Sequence, residues 1–143
     1  MRYIFIDMDN TIAENTTPDD IEFYENLYSS KRPVNIVIKA IKKLYKDDYW
    51  IILTNTQGDY VGIEEKLNWL SKYFPKYKEA HFLPINGSKV NFILNYCEEN
   101  KIAIENCVII DDKKHILQKC KAAGINTKYP LQIICDYEEA IDK

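Results

Sequence analysis

The sequence lacks the features that would support a cysteine-based metal site or a membrane-inserted chain. Its four cysteines, Cys97, Cys107, Cys120 and Cys135, are scattered and form no C-x-x-C pair, so zinc ligation by a cysteine knuckle is not expected. Each falls in an apolar segment, and we predict that all four are reduced core residues. The apolar runs are far too short for a membrane span or a signal-peptide core. A soluble, cytoplasmic protein without membrane contact is expected.

An excess of basic residues is also missing. The chain has 19 Lys and Arg against 22 Asp and Glu, for a net charge of −3, which argues against an extended nucleic-acid surface. The net charge does not exclude a local pocket for a nucleotide or a short phosphorylated end. It also does not exclude an oligomer. Gly87-Ser88-Lys89 is not a P-loop, because that motif needs a glycine directly before the lysine and another upstream.

What the sequence does contain is an alternation of strand and helix signals over a length, 143 residues, that suits one domain. Short apolar runs predict strands at 3–6, 49–53, 81–83 and 107–110. Apolar residues at helical spacing predict helices near 33–44, 60–74, 89–97 and 116–123, with Pro33 in the first turn of the first and Gly124 ending the last. This alternation predicts an α/β fold with a three-layer, doubly wound, mostly parallel sheet.

The C-terminal part of the sequence is harder to interpret. The segments 125–127 and 131–135 could each be a strand. Asp136, with Glu139 three residues later, resembles a capping box. The pattern predicts a short helix at the end of the chain.

The residues that carry chemistry stand where the predicted strands end. In a doubly wound sheet, ligands bind outside the carboxyl ends of the strands. Lys89 begins a helix on the same side. The candidates at the strand ends are Asp7, Asp9, Thr54, Asn55, Asp111 and Asp112.

Four carboxylates at one edge of a sheet cannot all stay ionised without compensation. A hard divalent cation together with Lys89 would compensate them, and Mg²⁺ prefers oxygen ligands. The composition therefore favours metal-assisted phosphoryl transfer. Each residue has an ordinary alternative, since aspartates cap turns and helices, Thr54-Asn55 suits a turn, and Lys89 suits a solvated first turn. The order and placement of the whole set is what these alternatives do not explain.

The same residues resemble the motifs of the haloacid dehalogenase superfamily. Asp7-Met8-Asp9-Asn10-Thr11 is similar to its first motif, D-x-D-x-T, and Leu53-Thr54-Asn55 to its second. Lys89 matches the third, and Ile109-Ile110-Asp111-Asp112 the fourth. The resemblance spans about residues 2–115 and implies a magnesium-dependent phosphatase.

The resemblance also implies a role for each residue. Asp7 would attack phosphorus and carry an aspartyl-phosphate, and Asp9 would act as acid and then as base. Thr54 and Lys89 would contact the transferred phosphate, with Thr11 and Asn55 as further substrate-binding residues. The metal would be held by the Asp7 side chain, the Asp9 carbonyl and an aspartate of the fourth motif. Asp112 is the expected ligand, while Asp111 would orient a lysine or a metal-bound water.

A second, local resemblance concerns the substrate. Residues 65–75 resemble a segment of the 5'(3')-deoxyribonucleotidases, yet the chain has no room for their helical cap. An open site is expected, with a flap at about 12–31 that carries Phe23, Tyr24 and Tyr28. We expect this segment, with Tyr60, to stack on a base or another flat leaving group. The opposite interpretation is that its apolar residues pack the flap onto the sheet.

Several alternatives stay open at this point. The substrate could be a nucleotide, a phosphorylated end, a sugar phosphate or a phosphoprotein. A receiver-type signalling domain uses similar residues, but its acid pair ends the first strand and its lysine comes last. A catalytically silent binding module would keep the fold without turnover.

Overall fold

The chain forms a five-stranded parallel sheet with helices on both faces, and the computed structural model describes residues 1–14, 28, 30–56 and 60–142. The strands are β1 (Tyr3–Ile6), β2 (Tyr49–Thr56), β3 (Glu79–Pro84), β4 (Cys107–Ile110) and β5 (Asn126–Lys128). The helices are α1 (Asn35–Leu44), α2 (Tyr60–Tyr73), α3 (Lys89–Asn100), α4 (Lys114–Ala122) and α5 (Pro130–Ile141), with a short 3₁₀ helix at Ile104–Asn106.

The order of the strands places a topological switch at the centre of the sheet. The order is β3-β2-β1-β4-β5, and every pairing is parallel. The chain runs outward from β1 to β2 and β3, then crosses to β4 on the other side of β1. Ligands of such sheets bind at the carboxyl ends of the strands beside this switch, which here means the ends of β1 and β4.

The core lies in two layers, one on each face of the sheet. Alternate residues of the central strands point to opposite faces, so that Ile4 and Ile6 pack with α1, α2 and α5, while Phe5 packs with α3 and α4. The central strands are almost completely buried on both sides, as expected for a parallel sheet between helices. The predicted three-layer α/β fold is confirmed.

The C-terminal predictions were partly wrong. Residues 126–128 do form a strand, but 131–135 lie inside α5 rather than in a strand. The helix begins at Pro130, and its cap is formed by Tyr129 with Gln132. Asp136 therefore lies within the helix, where its carboxylate pairs with Lys128 at 2.8 Å. Pro33 also differs from prediction, because it precedes α1 and forms a bridge with Ala13.

Two further sequence predictions concern the four cysteines and the flap. All four cysteines are free; three are buried, whereas Cys135 is exposed and so is not a core residue. The predicted flap residues Phe23 and Tyr24 lie outside the described part of the chain, as does the side chain of Tyr60. Within that part, no helix combines the length and apolar character needed to cross a membrane.

Candidate active site

The register of β1 and β4 brings the first and fourth motifs side by side. Ile6 pairs with Ile110, and the backbone N–H of Asp7 donates to the Ile110 carbonyl at 3.0 Å. Asp7 and Asp111 therefore leave the sheet as neighbours. Carboxylate oxygens of Asp7, Asp111 and Asp112 all lie within 4.8 Å of one another. Three of the four carboxylates that the sequence predicted for this edge thus form a cluster at the switch point, and Asp9 is not part of it.

Lys89 lies between two of these carboxylates. Its ammonium donates to Asp7 Oδ1 at 2.8 Å and to Asp111 Oδ2 at 2.7 Å, and its side chain is only 3% exposed. Burial alone would lower the pKa of Lys89, but the charges of Asp7 and Asp111 outweigh it and raise the pKa. The lysine is therefore a fixed positive charge beside the proposed nucleophile.

Asp7 is a buried carboxyl group whose charge is incompletely balanced. Burial raises the pKa of Asp7 to about 7; Lys89 opposes the rise and Asp111 adds to it. One ammonium thus does not compensate this cluster of carboxylates. The pKa of Asp7 would fall if a further cation bound beside it.

A tight turn after β1 supports Asp7, the predicted nucleophile. Backbone N–H groups of residues 11–13 donate to the Met8 carbonyl at 2.9–3.1 Å. Asn10 has a φ of 63°, a left-handed conformation that asparagine tolerates better than most side chains. The turn places the buried Thr11 hydroxyl 3.1 Å from Asp7 Oδ2. Thr11, predicted to bind substrate, therefore contacts the carboxylate of Asp7 instead of facing open space.

The acidic cluster fits a divalent cation. Both Asp111 oxygens are engaged, one by Lys89 and the other by the backbone N–H of Lys113 at 3.0 Å. By contrast, Asp112 Oδ1 is buried without a hydrogen-bond partner among the described residues. A buried carboxylate oxygen needs a partner, and a hard cation held by Asp7 and Asp112 would provide one.

Asp9 is held by two lysines that the sequence analysis did not identify. Lys31 Nζ lies 2.6 Å from Asp9 Oδ1, and Lys66 Nζ lies 3.4 Å from Asp9 Oδ2. Burial would raise the pKa of Asp9, but the positive charges of Lys66 and Lys31 outweigh it and lower the pKa. Asp9 is therefore a carboxylate in this structure.

Lys66 reaches the site from α2 and links the first and second motifs. Besides Asp9, its ammonium donates to Thr54 Oγ1 and to the Asn55 carbonyl, both at 3.1 Å. The side chain is buried, and this burial lowers the pKa of Lys66. The negative charge of Asp9 acts in the opposite direction but does not cancel the effect. Its position three and four residues before the buried Trp69 and Leu70 was the available signal, because a lysine on the core face of a helix needs a polar partner.

Tyr28 packs beneath the two lysines. Its ring centroid is 4.5 Å from Lys31 Nζ and 5.3 Å from Lys66 Nζ, within the range of cation–π attraction. The ring meets Trp69 edge to face at 6.2 Å and is 8% exposed. Tyr28 is thus not open for stacking on a base, contrary to the expectation for the flap.

The two remaining predicted residues, Thr54 and Asn55, connect the end of β2 to other parts of the chain. Thr54 is buried, and its hydroxyl accepts the Lys66 hydrogen bond. The Asn55 side-chain amide donates to the carbonyls of Pro84 and Gly87, at 2.7 and 3.0 Å. Asn55 therefore ties the end of β2 to the loop that leads into α3, and so helps to position Lys89.

Comparison with known proteins shows the fold. No family model matches the chain, and no curated protein matches its sequence. Among solved structures, D,D-heptose 1,7-bisphosphate phosphatase from Burkholderia thailandensis is 13% identical, with a TM-score of 0.67 over 100% of both chains. A haloacid dehalogenase-like hydrolase from Streptococcus pneumoniae is 13% identical, with a TM-score of 0.60 over 96% of this chain and 90% of its own.

A third similar structure was solved with Mg. It is the N-terminal part of a Bacteroides fragilis protein containing a phosphatase domain, 13% identical, with a TM-score of 0.65 over 98% of this chain and 39% of its own. At this level of identity the likeness concerns the fold. The chain therefore shares the three-layer α/β fold of these structures, as the sequence predicted.

Proposed function

We propose that the chain is a magnesium-dependent phosphomonoester hydrolase that acts through an aspartyl-phosphate on Asp7. The observation that carries this proposal is Lys89 buried between Asp7 and Asp111, at 2.8 and 2.7 Å. Next to them lies an Asp112 oxygen without a hydrogen-bond partner in the described part of the chain. A fixed cation, an acidic nucleophile and a free ligand oxygen at the end of a strand are what phosphoryl transfer requires.

The metal would be held by the side chains of Asp7 and Asp112 and the backbone carbonyl of Asp9. When bound, Mg²⁺ supplies positive charge against the phosphoryl oxygens and keeps Asp7 ionised. Lys89 contributes its own positive charge at Asp7 Oδ1, and Thr11 orients the carboxylate through Oδ2. Preorganised charges of this kind stabilise the transition state without reorganisation.

The chemical sequence uses Asp7 and Asp9 in turn. An Asp7 oxygen forms a bond to phosphorus while the bond from phosphorus to the leaving oxygen breaks, and Asp9 gives its proton to that oxygen. Asp9, now a carboxylate, takes a proton from the water that hydrolyses the aspartyl-phosphate. The contacts with Lys31 and Lys66 lower the pKa of Asp9 and so favour the carboxylate form that the second step uses. For the first step Asp9 must be protonated, so its contact with Lys31 must first break.

We propose a phosphorylated small molecule or a phosphorylated end as the substrate. The described residues between β1 and β2 include one helix, α1, and those between β2 and β3 include α2, so a helical cap is not found among them. The heptose bisphosphate phosphatase with a similar fold is named for a sugar phosphate, while the local resemblance of residues 65–75 favours a nucleotide. Catalytic efficiency on nucleoside monophosphates and on sugar phosphates of similar size separates the two.

The test is hydrolysis of p-nitrophenyl phosphate with Mg²⁺ and with a chelator. We expect turnover only with Mg²⁺, and a loss of several powers of ten in Asp7→Asn, because the nucleophile is gone while the shape is kept. Retention of more than about a tenth of the rate in Asp7→Asn would contradict the mechanism. No turnover on any phosphomonoester, with Mg²⁺ shown to bind, would favour a silent binding module.

A further inference from the structure

A cleft opens beside Lys89, between the loop that precedes α3 and the first turns of α4. It has a volume of about 270 Å³ and adjoins the proposed active site, because Lys89 and Asn55 belong to its lining. This volume lies just below the usual range for small-molecule pockets. A cleft that shares its wall with the reacting centre is in the right place to hold the part of a substrate that carries the phosphate.

The lining of this cleft is strongly biased in charge. The chain carries 22 acidic residues and has a net charge of −3, yet among the described residues that line the cleft there is no Asp or Glu. Lys113, His115 and Lys119 line it from α4 and the residue before it. The structure records no ion pair between these three side chains and any carboxylate of the described residues. They are available to an anionic ligand.

The backbone adds to this positive character. Both α3, of 12 residues, and α4, of 9 residues, begin at the cleft, and the N-terminus of a helix carries partial positive charge and free N–H groups. Ser88 caps α3 by accepting from the N–H of Asn91 at 3.2 Å. Gly87 permits the close turn that precedes it, since a Cβ there would lie 3.0 Å from the Pro84 carbonyl oxygen.

The cleft also offers apolar contact. Ile85 is 61% exposed, and Ile116 lies on the α4 side. Apolar side chains between cations suit a short carbon skeleton that separates two charged groups. A duplex or a long polymer would not be recognised by so small a cleft.

From these observations we propose that the cleft binds a second phosphate group of the substrate, so that the preferred substrates are small bisphosphorylated molecules. The proposal rests on the proposed function, because one phosphate must occupy the site at Asp7 while the other contacts Lys113 and Lys119. The carbon skeleton would then run past Lys89 and against Ile85.

The experiment compares matched substrates that differ by one phosphate. With the Mg²⁺-loaded protein, kcat/KM is measured for fructose 1,6-bisphosphate against fructose 6-phosphate, and for adenosine 3',5'-bisphosphate against adenosine 5'-monophosphate. We expect the bisphosphate to be preferred by roughly tenfold or more in both pairs, because charge-assisted hydrogen bonds to a phosphate contribute on that scale. This exceeds the doubling expected from having two cleavable groups.

Variants of the lining lysines test whether the preference for bisphosphates depends on the cleft. Lys113→Ala combined with Lys119→Ala should bring the ratio of the two efficiencies close to the doubling expected from two cleavable groups. Lys121→Ala, which removes a lysine of α4 outside the lining, should leave the ratio unchanged. Thermal unfolding of each variant checks that the fold is retained.

The possible failures are distinguishable. Equal efficiency on both members of each pair, or a preference that survives in the double variant, would overturn the second-phosphate site while p-nitrophenyl phosphate turnover still supports the phosphatase. Absence of all turnover would overturn the proposed function, and this proposal with it.

Discussion

At the scale of single residues, the two aspartates of the fourth motif have different surroundings. Asp111 is fully buried and gives both its oxygens to Lys89 and the backbone N–H of Lys113. Asp112 is partly exposed and keeps an oxygen without a partner among the described residues. This division supports Asp112 as the metal ligand and Asp111 as the residue that orients Lys89.

The first prediction separates these two roles. Asp112→Asn should weaken Mg²⁺ binding by about tenfold or more in calorimetry, because a charged ligand is lost. Asp111→Asn should change Mg²⁺ affinity much less and should lower kcat, because Lys89 loses an anionic partner. If Mg²⁺ affinity fell only in Asp111→Asn, the two assignments would have to be exchanged.

Lys31 and Lys66 show why part of the site could not be predicted. The strand-end rule finds residues that follow β1, β2 and β4, since parallel strands end at one edge. Lys31 comes from a loop and Lys66 from within α2, and both reach Asp9 only through the packing of Tyr28 and Trp69. The position of Lys66 on the core face of α2 was a local signal that it needs a polar partner, but which residue is that partner depends on tertiary contacts.

A second prediction concerns Lys66. Lys66→Met keeps the length of the side chain but removes its hydrogen bonds to Thr54, Asn55 and Asp9. We expect kcat/KM on p-nitrophenyl phosphate to fall roughly tenfold or more. Removing one partner of an ion pair destabilises the fold, but Asp9 keeps its contact with Lys31 at 2.6 Å, so the loss of thermal stability should be limited.

The matched control for that variant is Lys72→Met. Lys72 lies on the exposed side of the same helix, so the loss of one positive charge from α2 is reproduced outside the site. An equal loss of activity in both variants would show that the effect comes from net charge. A large loss of stability in Lys66→Met alone would assign the lysine a structural role.

At the scale of secondary-structure elements, buried strands were the most predictable part. The strand Cys107–Ile110 was predicted with its observed bounds, because a short apolar run between polar residues is typical of a central parallel strand. The run 131–135 is just as apolar but lies in a helix. There Pro130 in the first turn and the cap formed by Tyr129 with Gln132 favour a helix. In the sequence prediction the apolar run received more weight than these helix-start residues.

The edge strand β3 is tied to its neighbours by Glu79. Tyr96 of α3 and Tyr49 of β2 donate to Glu79 Oε2 at 2.6 and 2.7 Å, and His81 Nε2 lies 2.9 Å from Oε1. Burial would raise the pKa of Glu79, but these hydrogen bonds outweigh it and lower the pKa. The ionised carboxylate thus links β2, β3 and α3.

A third prediction follows for acid conditions. Because the pKa of Glu79 is lower in the folded chain than in the unfolded chain, its contribution to stability is present above its ordinary pKa and is lost as the pH falls through the folded value. The free energy of unfolding from urea titrations should therefore fall more steeply with acid in the wild type than in Glu79→Gln. If the free energy of unfolding depended on acid identically in the two proteins, Glu79 would not contribute to stability as an ionised group.

At the scale of the whole molecule, the fold concentrates unlike charges at one place. The central position of β1 brings Asp7 next to Asp111 and Asp112, and the helix that follows β3 brings in Lys89. The order of strands was predicted only as a class, because sequence patterns give the alternation of elements but not which strands pair. The motif residues nevertheless meet, since a parallel sheet aligns all its carboxyl ends.

The last prediction links metal binding to the stability of the fold. The pKa of Asp7 is raised from 3.8 to about 7 in the folded chain, so this group contributes stability at low pH that is lost as the pH rises through about 7. Mg²⁺ requires the ionised form, and it stabilises the folded state by RT ln(1 + [Mg²⁺]/Kd). Added Mg²⁺ should therefore raise the melting temperature more at about pH 8 than at about pH 5.

The measurement is thermal unfolding at both pH values, with potassium chloride at matched ionic strength to exclude screening. In Asp7→Asn the difference between the two pH values should shrink, because the titrating group has been removed. An equal Mg²⁺ effect at both pH values in the wild type would show that Asp7 does not govern metal binding.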